Sequence, residues 1–236
     1  MFNTFIYEPL YNGLIFLTSV VPGNDAGVAV VILTVIVKII LFPLYQKSLR
    51  SQMVMREIEP GVKKIQEENK GNREEIARRT LALYKENNIS PFTSILLLFI
   101  QIPILFALYF VFYKGLLLHT GGLYSFVSYP DHISDSFLSL FSITEKHNVI
   151  MALLVGVSQF VQAKLTLPKE NKEAKKTGSF QEEFAKSMRL QVLYILPLFI
   201  VFVSYSFPAV LSLYWTTSNL FSIGQEIYLR KKLKHN

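Results

Sequence analysis

The stretch Leu190–Gln225 limits the possible folds of this chain more than any other part of it. It contains 36 residues, and none of them is charged. A transmembrane helix needs about 20 apolar residues to cross roughly 30 Å of hydrocarbon, so this stretch is too long for one span and long enough for two tilted ones. Ser204–Pro208 interrupts it, because a residue that precedes a proline is pushed out of the helical region. We therefore predict two spans, Leu190–Tyr205 and Ala209–Tyr228.

Three other long apolar stretches carry almost no charge. The chain as a whole is 51% hydrophobic, which is close to the average for a globular domain, so the distribution of apolar residues is more informative than their total. Together with the pair above, these stretches predict an all-α polytopic membrane protein with five transmembrane helices. The first 21 residues mix apolar with polar side chains and predict an N-terminal interfacial helix. The three further spans are predicted at residues 27–46, 92–113 and 148–167.

Basic residues are concentrated in three blocks between or after the predicted spans. The blocks are 47–90, 164–189 and the basic tail 229–236, and together they hold 21 of the 24 lysines and arginines. Because cytoplasmic loops are enriched in lysine and arginine, this pattern predicts a plasma (inner) membrane protein with its N-terminus outside and its C-terminus in the cytoplasm. Residues 119–147 then form an outer loop, and 169–189 form a cytoplasmic loop.

The first basic block also contains a helical pattern. Apolar residues recur at helical spacing on both sides of a turn at 69–72. We interpret 47–90 as a charged cytoplasmic helical hairpin; the alternative is a solvated linker.

Lys38 is the only charged residue in the span 27–46. It lies about 12 Å from the inner end of that helix at 1.5 Å per residue, farther than its side chain can snorkel. A charge at such depth costs about 2.5–3.5 kcal/mol on insertion scales and usually faces a wet cavity or a binding partner. We favour a wet cavity, to which Thr34 also points because it lies one helical turn earlier. The alternative is a scaffold subunit in which Lys38 is buried against another protein's acidic residue.

Other polar and aromatic side chains inside the spans are candidates to line the same cavity. Gln101, Gln159 and Gln162 lie within the second and third spans, and Tyr214 and Trp215 lie within the fifth. Glutamines in a span also form ordinary interhelical hydrogen bonds, and tyrosine with tryptophan also forms aromatic belts. Both simpler interpretations stay open at this point.

Several kinds of chemistry have no support in the sequence. There is no cysteine, so the chain offers no disulfide, thiolate site or lipid-modified cysteine. We find no metal-ligand pair at helical spacing, no glycine-rich phosphate loop and no nucleophile with a base, so we expect no metal, no cofactor and no enzymatic activity. Basic cytoplasmic loops explain the net charge of +7 without nucleic acid as a specific partner. A small solute transporter or channel component is the alternative function, although Glu226 is the sole acidic residue within a predicted span.

The motifs in their order resemble the YidC/Oxa/Alb family of membrane protein insertases. The resemblance covers nearly the whole chain and rests on the segments GVAVVILTVIVKIILFPL, LYKENNISPF, LLLFIQIPILFALY, SQFVQAKL and FPAVLSLYWTTSNLFSIGQE. It implies a five-helix core, a cytoplasmic hairpin, and a hydrophilic groove that is open to the cytoplasm and lipid and closed on the outer side. The implied function is that of an insertase and chaperone for client membrane proteins.

The resemblance also implies roles for particular residues. A positive residue in the first core span receives the polar tail of a client, and Lys38 occupies that position. The family usually has arginine there, and lysine keeps the charge but loses the planar five-donor fork. The groove glutamine carries over to Gln159 with Gln162 nearby, and the aromatic residue carries over to Trp215 with Tyr214 beside it. The implied partners are nascent client chains and the lipid bilayer, with the Sec translocon and the ribosome as further candidates.

Overall fold

The computed structural model describes residues 2–90, 102–111, 122–167 and 187–234, and helices account for most of them. The chain divides into two compact units, one formed by Met1–Ile39 with Pro103–Asn236 and the other by Ile40–Ile102. The prediction of a mostly helical protein is confirmed.

The first unit begins with two helices that pack together. A π-helical turn, Asn3–Tyr7, leads into α1 (Glu8–Val20), and α2 covers Ala26–Ile40. The inner face of α1 is fully buried at Tyr11, Leu14 and Ile15. A Cβ placed on Gly13 would lie 3.3 Å from Leu33 Cδ1 of α2, so the two helices approach closely at this glycine. One face of the predicted interfacial helix therefore belongs to the core of this unit.

Four further helices of this unit lie in the described residues. They are α6 (Ile102–Val111), α7 (Val149–Thr166), α8 (Leu196–Ser206) with a preceding π-helical turn, and α9 (Ala209–Lys234). α7 packs against both α8 and α9. Gly156 makes the contact with α8 possible, because a Cβ at this position would overlap the side chain of Val201.

Three helices lie in residues 40–90, the part of the second unit that the structure describes up to residue 90. They are α3 (Phe42–Glu57), α4 (Glu59–Glu68) and α5 (Arg73–Glu86). The start of α4 lies against the end of α5, where a Cβ on Gly61 would be 3.3 Å from Leu83. On the surface of α5, hydrogen bonds from Arg78 and Arg79 lower the pKa of Glu75 to about 2.

By length and apolar composition, two described helical segments can cross a membrane. They are Val149–Thr166 and Ser187–Ser206, and α2 with α3 counts as a third only if the two are one broken span. α9 has 26 residues and is long enough to cross a membrane at about 1.5 Å per residue. It is not counted among the apolar segments because polar residues interrupt its sequence. The polar residues of α9 mostly face inward, as described below.

The observed boundaries differ from the predicted ones in three places. The predicted span 27–46 is interrupted at Leu41, and Pro43 lies in the first turn of α3, where its missing N–H does no harm. Within the predicted loop 119–147, the structure contains an antiparallel ribbon of β1 (Ser136–Phe137) and β2 (Phe141–Ser142). α9 continues past the predicted end of the fifth span at Tyr228.

Some predicted features fall outside the described residues. Gln101 is one of them, and only 102–111 of the predicted second span is described. The predicted cytoplasmic loop 169–189 is described only from residue 187 onward.

Candidate functional site

The Lys38 ammonium binds a hydroxyl on the last helix. Its Nζ donates a hydrogen bond of 3.2 Å to Ser222 Oγ, which links α2 to α9. Lys38 is half-buried, whereas Ser222 is buried. Within the described ranges, no carboxylate forms an ion pair with this lysine. The positive charge is therefore held by a neutral partner.

The Lys38 contact belongs to a larger line of polar contacts that we call the polar seam. Asn219 Nδ2 donates to Ser158 Oγ at 3.1 Å, one helical turn from the Lys38–Ser222 contact toward the N-terminus of α9. Thr166 Oγ1 donates to a carboxylate oxygen of Glu226 at 2.8 Å, one turn in the other direction. The polar seam consists of Lys38 from α2, Ser158 and Thr166 from α7, and Asn219, Ser222 and Glu226 from α9.

Helical spacing explains why these residues meet. Asn219, Ser222 and Glu226 are three and four residues apart, so they lie on one face of α9. Ser158 and Thr166 are eight residues apart, a little over two turns, so they share a face of α7. α7 and α9 run in the same direction along their contact. Ser158 therefore meets Asn219, and Thr166 meets Glu226 farther along both helices.

An ion pair lies at the end of the polar seam that is nearest the C-terminus of α9. Glu226 is completely buried, and its Oε1 accepts hydrogen bonds from Arg230 Nε at 3.0 Å and Nη2 at 2.7 Å. Arg230 Nη2 also donates to the Leu165 carbonyl at 2.7 Å. A buried carboxylate is tolerated when it is paired and hydrogen-bonded in this way.

Two of the predicted site residues lie close to the polar seam. Gln162 is four residues after Ser158 and four before Thr166, so it lies on the same face of α7 at the depth of Ser222. Thr34 is buried one turn before Lys38, but its hydroxyl donates to Val30 of its own helix at 2.7 Å.

The other predicted site residues are placed less directly. Gln159 is half-buried and follows Ser158, so it points about 100° away from the face that meets α9. Trp215 is half-buried and lies one turn before Asn219, whereas Tyr214 is buried. Gln101 lies outside the described residues.

Sequence reasoning missed Ser158, Ser222 and Arg230 as site residues. Serine inside an apolar helix is common and gives no warning by itself. A signal was nevertheless present, because polar residues recur at 219, 222, 226 and 230 on one face of α9.

Several buried polar atoms near the polar seam have no hydrogen-bond partner in the described part of the chain. They are Ser212 Oγ, Thr216 Oγ1 and both side-chain polar atoms of Gln225, all on α9. Buried polar groups are normally satisfied by protein or by ordered water.

The described part of loop 122–147 forms hydrogen bonds at the starts of both α2 and α9. Asp25 caps α2 by accepting a hydrogen bond from Val28 N at 2.9 Å, and its second oxygen accepts from Leu138 N at 2.6 Å. Farther along the loop, the Ile143 carbonyl accepts from Val210 N at 2.8 Å, at the start of α9. Hydroxyl hydrogen bonds from Ser142 and Thr144 lower the pKa of Asp135, which stabilises the charged form of this loop residue.

β1 also packs tightly against the start of α2. A Cβ on Gly27 would lie 2.7 Å from Phe137 Cβ, so the ribbon rests directly on the helix start. A pocket of about 110 Å³ lies at the turn between α8 and α9 and is lined mainly by apolar residues such as Phe207 and Leu211. Ser222, which binds Lys38, does not line this pocket. The described residues contain no group of three acidic or histidine side chains that could hold a metal ion.

Comparison with known proteins places this arrangement in a family. Residues 16–236 match the family model described as 60Kd inner membrane protein. A curated relative from Clostridium tetani, the membrane protein insertase YidC, is 35% identical over 223 residues, which cover 93% of this chain and 88% of the relative. This chain belongs to the YidC family.

Other YidC relatives agree with this assignment. The Clostridium acetobutylicum membrane protein insertase YidC is 32% identical over 89% of this chain and 76% of the relative. The Wolinella succinogenes relative is 33% identical over 99% of this chain, but the match spans only 38% of that longer protein. A crystal structure of an active YidC insertase with its first transmembrane domain resolved matches 92% of this chain and 45% of its own chain, with a TM-score of 0.56 and 22% identity, and so supports the fold.

Proposed function

We propose that this YidC-family chain is a membrane protein insertase and chaperone. It would move transmembrane segments and short polar tails of client proteins from the cytoplasm into the bilayer, without a cofactor and without making or breaking a covalent bond. The observation that carries the proposal is the hydrogen bond of Lys38 to a neutral partner, Ser222, in the middle of the polar seam. The names of the relatives support the same function.

The positive charge of Lys38 would act by attracting the polar tail of a client. A client tail with acidic residues must give up its hydration to enter the bilayer, and this desolvation opposes insertion. A cation held part-way into the membrane by Ser222 offsets part of that loss, because charges attract more strongly where the dielectric constant is low. The tail therefore has a shorter apolar distance left to cross.

The polar seam would form the wall of a hydrophilic groove that keeps the lysine hydrated. Gln162 lies on the seam-facing side of α7, and the partnerless polar atoms of Gln225 and Thr216 lie on α9, so water entering from the cytoplasm would find hydrogen-bond partners at several depths. The client's apolar segment would then slide sideways into lipid.

The groove would be closed toward the outer side by the loop that Asp25 anchors. Hydrogen bonds from this loop reach the starts of both α2 and α9. A groove of this kind shortens the path of a client without opening a continuous pore, which separates an insertase from a channel.

The proposed topology has five spans, with the N-terminus outside and three basic segments in the cytoplasm. The charged helices α4 and α5 would then form a cytoplasmic hairpin that makes the first contact with a client. The Sec translocon and the ribosome are proposed partners of that side, supported by its positive charge.

Replacement of Lys38 tests the function directly. In proteoliposomes, Lys38→Ala should lower insertion of a client with an acidic translocated tail, while Lys38→Arg should retain it because the charge is preserved. A client with an uncharged tail of equal length is the internal control and should respond much less. Equal insertion of the acidic client by the wild type and Lys38→Ala would remove the lysine charge from the mechanism.

A further inference from the structure

The buried ion pair at the end of the polar seam nearest the C-terminus of α9 lies close to the lysine that the proposed function requires. Glu226 is one helical turn from Ser222, and Ser222 holds Lys38. Residues four apart on a helix lie on one face, about 5–6 Å apart at their Cβ atoms. The Glu226 carboxylate therefore lies one turn of α9 away from Ser222, the residue that binds the Lys38 ammonium of α2.

Opposite charges attract each other more strongly where protein shields one of them from solvent. Glu226 has no exposed surface and Ser222 is 1% exposed, whereas Lys38 is half-buried and faces the proposed groove. A lysine side chain has a flexible four-carbon stem and can exchange one nearby acceptor for another. The Glu226 carboxylate is thus a potential intramolecular competitor for the ammonium that would bind an acidic client tail.

In the structure, Arg230 occupies this carboxylate. Two nitrogens of the guanidinium donate to the same oxygen of Glu226, and Thr166 donates to the other oxygen. Arg230 is itself held at the C-terminal end of α7 by the bond to the Leu165 carbonyl. The planar guanidinium of Arg230 has several donors and binds the Glu226 carboxylate and the Leu165 carbonyl at the same time. A lysine ammonium lacks this planar arrangement of donors.

We propose that Arg230 is a positioning residue that holds Glu226 away from Lys38 and so keeps the lysine charge available for acidic client tails. This proposal rests on the proposed function, because it assigns to Arg230 the role of preserving the charge that receives the client. It also explains why a buried carboxylate can lie next to a functional cation without neutralising it.

The first test measures the predicted change of partner without any client. In the purified full-length chain, an apolar carbodiimide that enters protein interiors activates a shielded carboxylate, a neighbouring amine displaces the urea to form an amide, and peptide mass spectrometry detects that amide. The Lys38–Glu226 crosslink should be weak in the wild type and should increase several-fold in Arg230→Gln, which removes the guanidinium from Glu226. Lys38→Arg in the Arg230→Gln background should abolish the crosslink, because the guanidinium does not couple. An unchanged yield in Arg230→Gln would overturn the proposal.

The second test is rescue in the insertion assay. Arg230→Gln should reduce insertion of the acidic-tailed client to the level of Lys38→Ala and should spare a neutral-tailed client. Adding Glu226→Gln to Arg230→Gln should restore insertion, because the competing charge is gone. The matched control is Lys231→Ala, which removes the adjacent exposed charge of the same helix and should have little effect.

The outcomes separate this proposal from the proposed function. If Arg230→Gln impairs both clients equally and Glu226→Gln gives no rescue, Arg230 only stabilises the structure and the proposal is wrong. If Lys38→Ala has no effect on either client, the proposed function fails, whereas the crosslinking result still reports whether Arg230 controls the partner of Glu226.

Discussion

At the scale of single residues, Asp25 connects the first turn of α2 to the ribbon of β1 and β2. Its two carboxylate oxygens accept separate backbone hydrogen bonds, one from Val28 in the first turn of α2 and one from Leu138 in the outer ribbon. We expect Asp25→Ala to lower the free energy of unfolding by about 2 kcal/mol, since it removes a helix cap and a charge-assisted hydrogen bond. Asp25→Asn should cost about half as much, because the amide keeps one acceptor. Denaturant unfolding in detergent micelles measures both values.

Asp131 provides the control for Asp25, because it is an exposed aspartate in the same loop. Asp131→Ala should change the free energy of unfolding by less than about 0.5 kcal/mol, as surface substitutions usually do. If Asp25→Ala and Asp131→Ala had equal effects, the anchoring role of Asp25 would be wrong.

The residues of the candidate site show what a sequence can and cannot predict at this scale. Lys38 could be selected because a charge inside an apolar span is energetically expensive and therefore informative. Its partner Ser222 could not, because a serine in a transmembrane helix carries little cost and pairs with many kinds of neighbour. The spacing of four residues predicts Thr34 on the face of Lys38, but spacing does not reveal that the Thr34 hydroxyl donates to its own backbone.

At the scale of elements, the contact between α7 and α8 depends on one glycine. A Cβ on Gly156 would overlap Val201, so even the smallest side chain must move the helices apart. We expect Gly156→Ala to lower the free energy of unfolding by about 1–3 kcal/mol, the usual range for overpacking a core. Thermal or denaturant unfolding of the purified chain in detergent would measure this loss.

Two further variants make the Gly156 result specific. Gly224 also lies within a helix, but a Cβ at that position meets no atom within 4 Å. Gly224→Ala should therefore be neutral or stabilise the chain by up to about 1 kcal/mol, because alanine has the higher helix propensity. Val201→Ala should recover part of the stability lost in Gly156→Ala; purely additive effects would contradict the packing explanation.

Element boundaries were predictable where a local chemical signal marks them. Pro208 separates α8 from α9 as expected, since the backbone before a proline leaves the helical region. The break at Leu41 was not predicted, because Pro43 indicated a bend near the end of a span rather than the start of a new helix. The ribbon of β1 and β2 was missed because its strands contain two residues each and are defined by loop contacts, which leave no periodic pattern.

At the scale of the whole molecule, the distribution of charge predicts the orientation in the membrane. Three basic segments alternate with the apolar stretches in such a way that only an odd number of spans with an outer N-terminus places all three in the cytoplasm. The absence of cysteine from the natural sequence makes this prediction simple to test, because each single-cysteine variant carries one reactive thiol. Asp131→Cys, Lys63→Cys and Lys231→Cys place that thiol in the outer loop, in α4 and near the end of α9, at exposed positions.

We expect a membrane-impermeant maleimide to label Asp131→Cys in intact cells and to label the other two variants only after permeabilisation. The reason is that moving the strongly basic segments across the membrane would oppose both the charge bias of insertion and the membrane potential, which contributes about 2.3 kcal/mol per charge per 100 mV. Labelling of Lys231→Cys from outside would mean that Leu190–Gln225 crosses the membrane once rather than twice. In that case α8 and α9 could not both be spans, and the polar seam could not line a groove that opens to the cytoplasm.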